Sequence, residues 1–249
     1  MFLELRQQLD KPSKDWLPLY DLQARSLINL GKNEAASELL KQVIRIRETT
    51  QPKTHPSTLT TMSNLALVLN TQGKYAEAEA MNRQTLEIRE EVLGKTHPDT
   101  LTTMNNLALV LDRQGKQGKY TDAEAMNRQT LEIREEVLGK THPDTLTTMS
   151  NLALVLNRQG KYADAEAMNR QTLEIREEVL GKTHPDTLTS VYCLAYLLQK
   201  KQEYEEASLL YQRACTGYKL SLGPEHPTTK TCENHYSIML SSLQESNGI

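Results

Sequence analysis

Aromatic side chains are scarce in this chain, with one Phe, one Trp and ten Tyr among 249 residues, so aliphatic residues and alanine must make most of the apolar contact. Cysteine is also sparse: Cys193, Cys215 and Cys232 are an odd number, lack C-x-x-C spacing and all fall in the last third. They read as small buried residues or free thiols rather than a disulfide framework. No apolar run approaches the length that crosses a bilayer, and Met1-Phe2-Leu3-Glu4-Leu5-Arg6 lacks the basic-then-apolar order of a signal peptide. A soluble cytoplasmic protein with no membrane partner is expected. With 29 basic and 32 acidic side chains the formal net charge is −3, which gives no electrostatic footprint for nucleic acid. No nucleophile elbow, paired histidine ligands or glycine-rich phosphate loop occurs, so neither catalysis nor a cofactor or metal is expected.

What is present is repetition. The segment K-T-H-P-[SD]-T-L-T-T-M-[SN]-N-L-A-L-V-L starts near Lys53 and returns near Lys95 and Lys140. The His-Pro pairs at His55, His97, His142, His184 and His226 are spaced by 42, 45, 42 and 42 residues, a period at which each repeat is one supersecondary unit. Within a repeat, Met62, Leu65, Ala66 and Leu69 recur at helical spacing, Gly73-Lys74 interrupts as a turn, and Tyr75, Ala78, Met81, Thr85, Ile88 and Val92 resume the period. Gly94 stands where a C-cap glycine belongs. The unit is therefore two helices. Alanines at positions 66, 78, 108, 123, 153, 165, 195 and 207 mark where helices approach closely.

The expected fold is all-α: an α-solenoid of antiparallel helix pairs forming a single domain over 1–249, with repeats at about 16–56, 57–98, 99–143, 144–185 and 186–227 and a capping helix at 228–243. The first repeat is divergent, with helices near Trp16–Leu30 and Glu34–Thr49, as an end repeat that must meet water should be. Met1–Asp10 reads as a short additional helix, and Glu245–Ile249 as frayed. The third repeat has Gly115-Lys116-Gln117-Gly118-Lys119-Tyr120 where its neighbours have Gly-Lys-Tyr. This three-residue insertion accounts for the 45-residue step and is expected to form a longer loop. The fifth repeat rewrites the same turn as Lys200-Lys201-Gln202-Glu203-Tyr204.

The run Glu87-Ile88-Arg89-Glu90-Glu91, copied from Glu132 and Glu174, reads first as a solvated face with local ion pairing and second as an acidic docking strip. The five His-Pro histidines lie a repeat apart and cannot converge on one ion or proton-transfer site, so they read as loop residues bridging helix ends. His235, outside the pattern, lacks a clustered ligand partner in the sequence.

The run from Asn106-Leu107-Ala108 through Gly-Lys-Tyr at 118–120, Ala123-Glu124, Leu131-Glu132-Ile133-Arg134-Glu135 and Leu138-Gly139 to His142-Pro143-Asp144 resembles the long tetratricopeptide repeat of kinesin light chains. It also resembles the C-terminal repeat arrays of fungal nucleotide-binding, immune-receptor-like proteins. The resemblance extends from about Trp16 to Leu243, but the chain shows neither a heptad coiled coil nor a G-x-x-x-x-G-K-[ST] loop. Residues 75–115 and 120–160 differ only at Ala76/Thr121, Glu77/Asp122, Asn105/Ser150 and Asp112/Asn157. That near identity fits internal duplication or repeat engineering, and either repeats the surface chemistry.

The resemblance implies a right-handed superhelix whose first helices line a concave groove holding a peptide, as a cargo adaptor or the ligand-recognition region of a sensor. On the face opposite the buried stripe, the first rung would be Ser63, Leu67, Asn70 and Thr71, followed by Asn105, Leu109, Asp112 and Arg113, then Ser150, Leu154, Asn157 and Arg158. Tyr192, Tyr196, Gln199 and Lys200 continue the series and Asn234 and Ile238 close it, with Cys193 and His235 departing from uniformity. Asn can donate to and accept from a peptide backbone, Arg or Lys can pair a carboxylate, and Leu or Tyr can receive an apolar side chain. The expected partner is a protein or peptide, in its sharpest form an acidic peptide with an apolar anchor. Asn64, Asn106 and Asn151 read instead as helix-packing or loop-tethering residues. The competing reading is a structural, self-associating module: a monomer is expected, and the tyrosines near 211, 218 and 236 make an end-to-end dimer the alternative.

Overall fold

The computed structural model describes residues 14–115 and 117–247; the expected helix at Met1–Asp10 lies outside them. Among the described residues, a 3₁₀ turn at Lys14–Trp16 is followed by eleven α-helices: α1 Leu17–Asn29, α2 Asn33–Thr50, α3 Pro56–Thr71, α4 Tyr75–Leu93, α5 Pro98–Arg113, α6 Gln117–Leu138, α7 Pro143–Arg158, α8 Tyr162–Leu180, α9 Pro185–Lys200, α10 Tyr204–Ser221 and α11 Pro227–Asn247. They form an all-α repeat solenoid of helix pairs. The chain divides into two compact units with the boundary between Met126 and Asn127, within α6.

The His-Pro pair starts each of α3, α5, α7, α9 and α11, and its role is local. The histidine is the N-cap, its Nδ1 accepting the backbone N–H two residues on: Ser57 at 3.2 Å, Asp99, Asp144 and Asp186 at 3.1 Å, and Thr228 at 3.2 Å. Proline follows at the first helical position, where its fixed φ suits the helix and its missing N–H costs nothing. These rings cap helices rather than bridge them. The second helices of repeats two to four end at Gly94, Gly139 and Gly181, with φ of 88, 87 and 85°. This backbone conformation is open to glycine at little cost.

In the first unit, Ala24, Ala36, Leu40, Leu65, Val68, Leu69, Ala78 and Val110 form one buried cluster drawn from α1 to α5. The second unit buries Leu188, Val191, Leu194, Leu198, Tyr211, Tyr218 and Met239 together, with a smaller cluster of Leu152, Leu156, Ala165 and Leu197. The eight repeated alanines are each at most 1% exposed, so helices close to short range where a larger side chain would hold them apart. Val92 departs from the expected stripe: it and its copies Val137 and Val179 are exposed.

Arg89 corrects the reading of its segment as solvated. It is buried, and its Nη1 donates to the Asp99 carbonyl at 3.0 Å and to Thr103 Oγ1 at 2.6 Å, fastening α4 to the start of α5. Arg134 repeats the arrangement with Asp144 and Thr148, Arg176 with Asp186 and Ser190, and Arg47 with Ser57 and Thr61. The neighbouring Glu87 and Glu91 do face solvent.

The insertion also departs from expectation. Gln117, Gly118 and Lys119 belong to α6, which is 22 residues long against 19 in α4 and α8, so the extra residues lengthen the helix rather than the loop. Lys119 Nζ donates to both carboxylate oxygens of Glu79, at 2.8 and 2.9 Å, and Gln114 Nε2 donates to the same group at 2.6 Å. Burial alone would raise the Glu79 pKa, but these bonds and one from Arg83 outweigh it and lower it to about 2.

Candidate functional site

The helical period that buries one face of α7 leaves the other open. Leu146, Met149, Leu152, Ala153 and Leu156 go into the core, and Ser150, Leu154, Asn157 and Arg158, at i, i+4, i+7 and i+8, fall on the remaining face. On α9 the same logic places Tyr192, Tyr196 and Lys200 one turn apart. These seven residues line one cavity of about 480 Å³, within the usual size of ligand clefts. Tyr162 and Asn169 of α8, Cys193 and His235 complete most of its wall.

The aromatic end is tightly organised. Tyr192 Oη and His235 Nδ1 are 2.6 Å apart and the rings stack at 5.8 Å, while Tyr196 lies 5.5 Å from the same imidazole. Lys200 Nζ sits 5.4 Å above the Tyr196 ring, a cation–π contact that holds the ammonium at the rim. Behind this layer Tyr211 packs edge-on to Tyr192 and donates to Gln199 Oε1 at 2.8 Å. Burial pushes the Tyr192 and Tyr211 pKa values up, so both phenols stay protonated.

The lining carries two cationic side chains, Arg158 and Lys200, and no carboxylate. Its floor has two primary amides, Asn157 and the nearly buried Asn169. Each amide can donate and accept at once, which matches a peptide group; the guanidinium can take a carboxylate with two parallel bonds. Leu154 and Tyr162, each 38% exposed, supply apolar surface.

Of the residues proposed for the groove, Ser150, Leu154, Asn157, Arg158, Tyr192, Tyr196 and Lys200 are brought together. Gln199 is held by Tyr211 instead, and Asn234 and Ile238 are exposed but do not line the cavity. In the first unit Leu67 and Arg113 are exposed, Thr71 is exposed with its hydroxyl bonded to the Val68 carbonyl, and Ser63, Asn105 and Leu109 are half-buried. Asn70 and Asp112 are 3% and 1% exposed, so they belong to the packed interior rather than a groove surface. Asn64, Asn106 and Asn151 are half-buried. Sequence reasoning misses Ala153, Tyr162 and Asn169. A signal for Asn169 does exist: an Asn recurs at 82, 127 and 169, four residues after the repeated alanines at 78, 123 and 165 and so on the same helical face.

Among the described residues no group of three or more His, Cys, Asp or Glu could hold a metal ion, and no helix is long and apolar enough to cross a membrane.

The tetratricopeptide-repeat profile matches residues 17–91, 57–117, 116–178 and 149–219. A putative kinesin light chain from Podosopora anserina with nearly identical TPR-like repeats is similar in structure, with a TM-score of 0.70 and 26% identity over 85% of this chain and 99% of that one. BtubC (BKLC) from P. vanneervenii shares the fold at a TM-score of 0.68 and 19% identity, covering 84% of this chain and 81% of its own. A Rap protein complexed with competence and sporulation factor does so at 0.70 and 14%, covering 96% and 68%. No curated protein matches the chain at a significant level. None of these likenesses bears on the resemblance to fungal nucleotide-binding proteins.

Proposed function

The chain belongs to the tetratricopeptide-repeat family, whose members are generally protein–protein interaction scaffolds, and from that premise we propose that it is a non-enzymatic scaffold capturing an acidic peptide in the cavity between α7 and α9. The observation that carries the reading is the lining itself: two cations, two amides and an aromatic wall, without a carboxylate. Asn157 and Asn169 would hold the peptide backbone, Arg158 and Lys200 a carboxylate, and Leu154, Tyr162 and Tyr196 an apolar anchor.

The test is selection of peptides from a diverse display library on the purified chain, repeated with Asn157, Arg158 and Lys200 changed to Ala. Enriched acidic peptides that lose at least tenfold in affinity on the triple variant, about 1.4 kcal/mol, are the expected result. Selected peptides that are basic, or that bind the variant equally well, would refute it. The second reading, self-association through end surfaces, has in its favour the exposed Ile238 and Leu240 on α11. A monomeric mass that does not change with concentration removes it.

A further inference from the structure

Outside the groove cavity, α10 and α11 bring together two thiols that the sequence places 17 residues apart. Cys215 Sγ and Cys232 Sγ are 3.1 Å apart. About 1 Å of approach separates this hydrogen-bonded pair from the ~2.05 Å of a disulfide. The two cysteines are not equivalent. Cys232 is fully buried, whereas Cys215, 7% exposed, forms part of the floor of an open cleft of about 500 Å³ between the same two helices. Lys219, one turn beyond Cys215, also lines that cleft and pairs across it with Glu233, the neighbour of Cys232, at 2.6 Å. The ion pair therefore pins α10 to α11 beside the thiols.

We propose that Cys215 and Cys232 are a redox-responsive pair that closes to an intramolecular disulfide on exposure to a low-molecular-weight disulfide, stapling the C-terminal helix to the last helix pair. Cys215, reached from the cleft, loses its proton to solvent and attacks one sulfur of the oxidant. The oxidant's S–S bond breaks, one half leaves as a thiolate, and a mixed disulfide forms on Cys215. Cys232, behind it, loses its proton and attacks the Cys215 sulfur, expelling the second thiolate. Two protein thiols are oxidised, one small disulfide is reduced to two thiols, and the two released protons balance the two thiolates. The electrostatics assign the same roles. The hydrogen bond with Cys232 favours the Cys215 thiolate and outweighs burial and the nearby Glu233 carboxylate, which oppose it, and the same bond raises the pKa of Cys232. The third thiol, Cys193, lines the groove cavity instead. Because α11 also carries His235, the staple would fix the helix that supplies one wall of that cavity.

The purified full chain is incubated with oxidised glutathione, alkylated and digested with trypsin. Cleavage after Lys182, Lys200, Arg213, Lys219 and Lys230 places the three cysteines in separate peptides, 183–200, 214–219 and 231–249. The expected result is a reductant-sensitive link between 214–219 and 231–249, with free thiols falling from three to one per chain. Cys193→Ser should lose both remaining thiols, and Cys232→Ser, checked for native helical signal, should instead hold glutathione on Cys215. Retention of all three thiols, or a link through 183–200, would overturn the proposal; the wild-type map decides the matter even if Cys232→Ser fails to fold.

Discussion

Arg134→Met isolates the clamp that joins one repeat to the next. Arg134 is 4% exposed, and its Nη1 reaches the Asp144 carbonyl at 2.9 Å and Thr148 Oγ1 at 2.7 Å, both in the first turns of α7. Hydrogen bonds from an ionised donor contribute roughly 1.5–3 kcal/mol each, so the two together oppose unfolding by about 3–6 kcal/mol before the cost of burying the charge. That cost is appreciable: desolvation lowers the Arg134 pKa, against the attraction of Asp144. Methionine keeps the apolar stem and removes both effects, and the Asp144 carbonyl still accepts from Thr148 Oγ1 at 3.0 Å, so it is not stranded. The expected net loss is about 1–3 kcal/mol, read in urea denaturation as a lower midpoint with an unchanged slope. Arg25→Met, at an exposed position, should stay within about 0.5 kcal/mol of wild type. If Arg134→Met matches that control, burying the charge costs as much as its bonds contribute, and the clamp does not hold the repeats together.

Three further outcomes follow from single positions. Glu79 has a folded-state pKa of about 2, below the ordinary 4.5, so its stabilisation is present above pH ~5 and lost as pH falls toward 2. The stability gap between wild type and Glu79→Gln, on the order of 1 kcal/mol after solvent screening, should narrow over that range, and a gap that widens toward acid would contradict the assignment. Gly217 lies in α10 with the Leu188 methyl groups 2.5 and 2.6 Å from where a Cβ would stand. Gly217→Ala gains about 1 kcal/mol of helix propensity but must displace a fully buried Leu, so a net loss of about 1–2 kcal/mol is expected and a higher melting temperature would disprove the close approach. Gln202 has φ of 65° at the turn where earlier repeats have Gly. Gln202→Gly should therefore stabilise by up to about 1 kcal/mol in thermal unfolding, and destabilisation would show that its side chain matters more than its backbone.

Much of the fold is legible because one pattern is written several times. The period of Met62, Leu65, Ala66 and Leu69 marks a buried face, and all four are at most 4% exposed. The face opposite that stripe, set by helical geometry, carries the α7 and α9 residues that line the cavity, apart from Gln199. What is not legible depends on partners distant in sequence. Arg89 looks like one more charge on a solvated run until α5 supplies a carbonyl and a hydroxyl ten and fourteen residues on. Asn70 and Asp112 sit at the groove register yet are buried, and the period of their own helix does not set that burial. The glycines of the insertion point to a loop, but the longer helix gains Lys119 bonds to Glu79 of the preceding pair. The thiol pair is invisible for the same reason: nothing in the spacing of 215 and 232 announces that two helices meet there.

The most direct measurement of peptide capture is photo-crosslinking of a selected acidic peptide carrying a benzophenone at its apolar anchor, with adducts mapped by mass spectrometry. Adducts confined to residues 150–169 and 192–200 and to His235, competed away by the unlabelled peptide, are expected. Adducts concentrated instead around the exposed Val137 and Val179, or on α11 near Ile238 and Leu240, would contradict binding in the cavity.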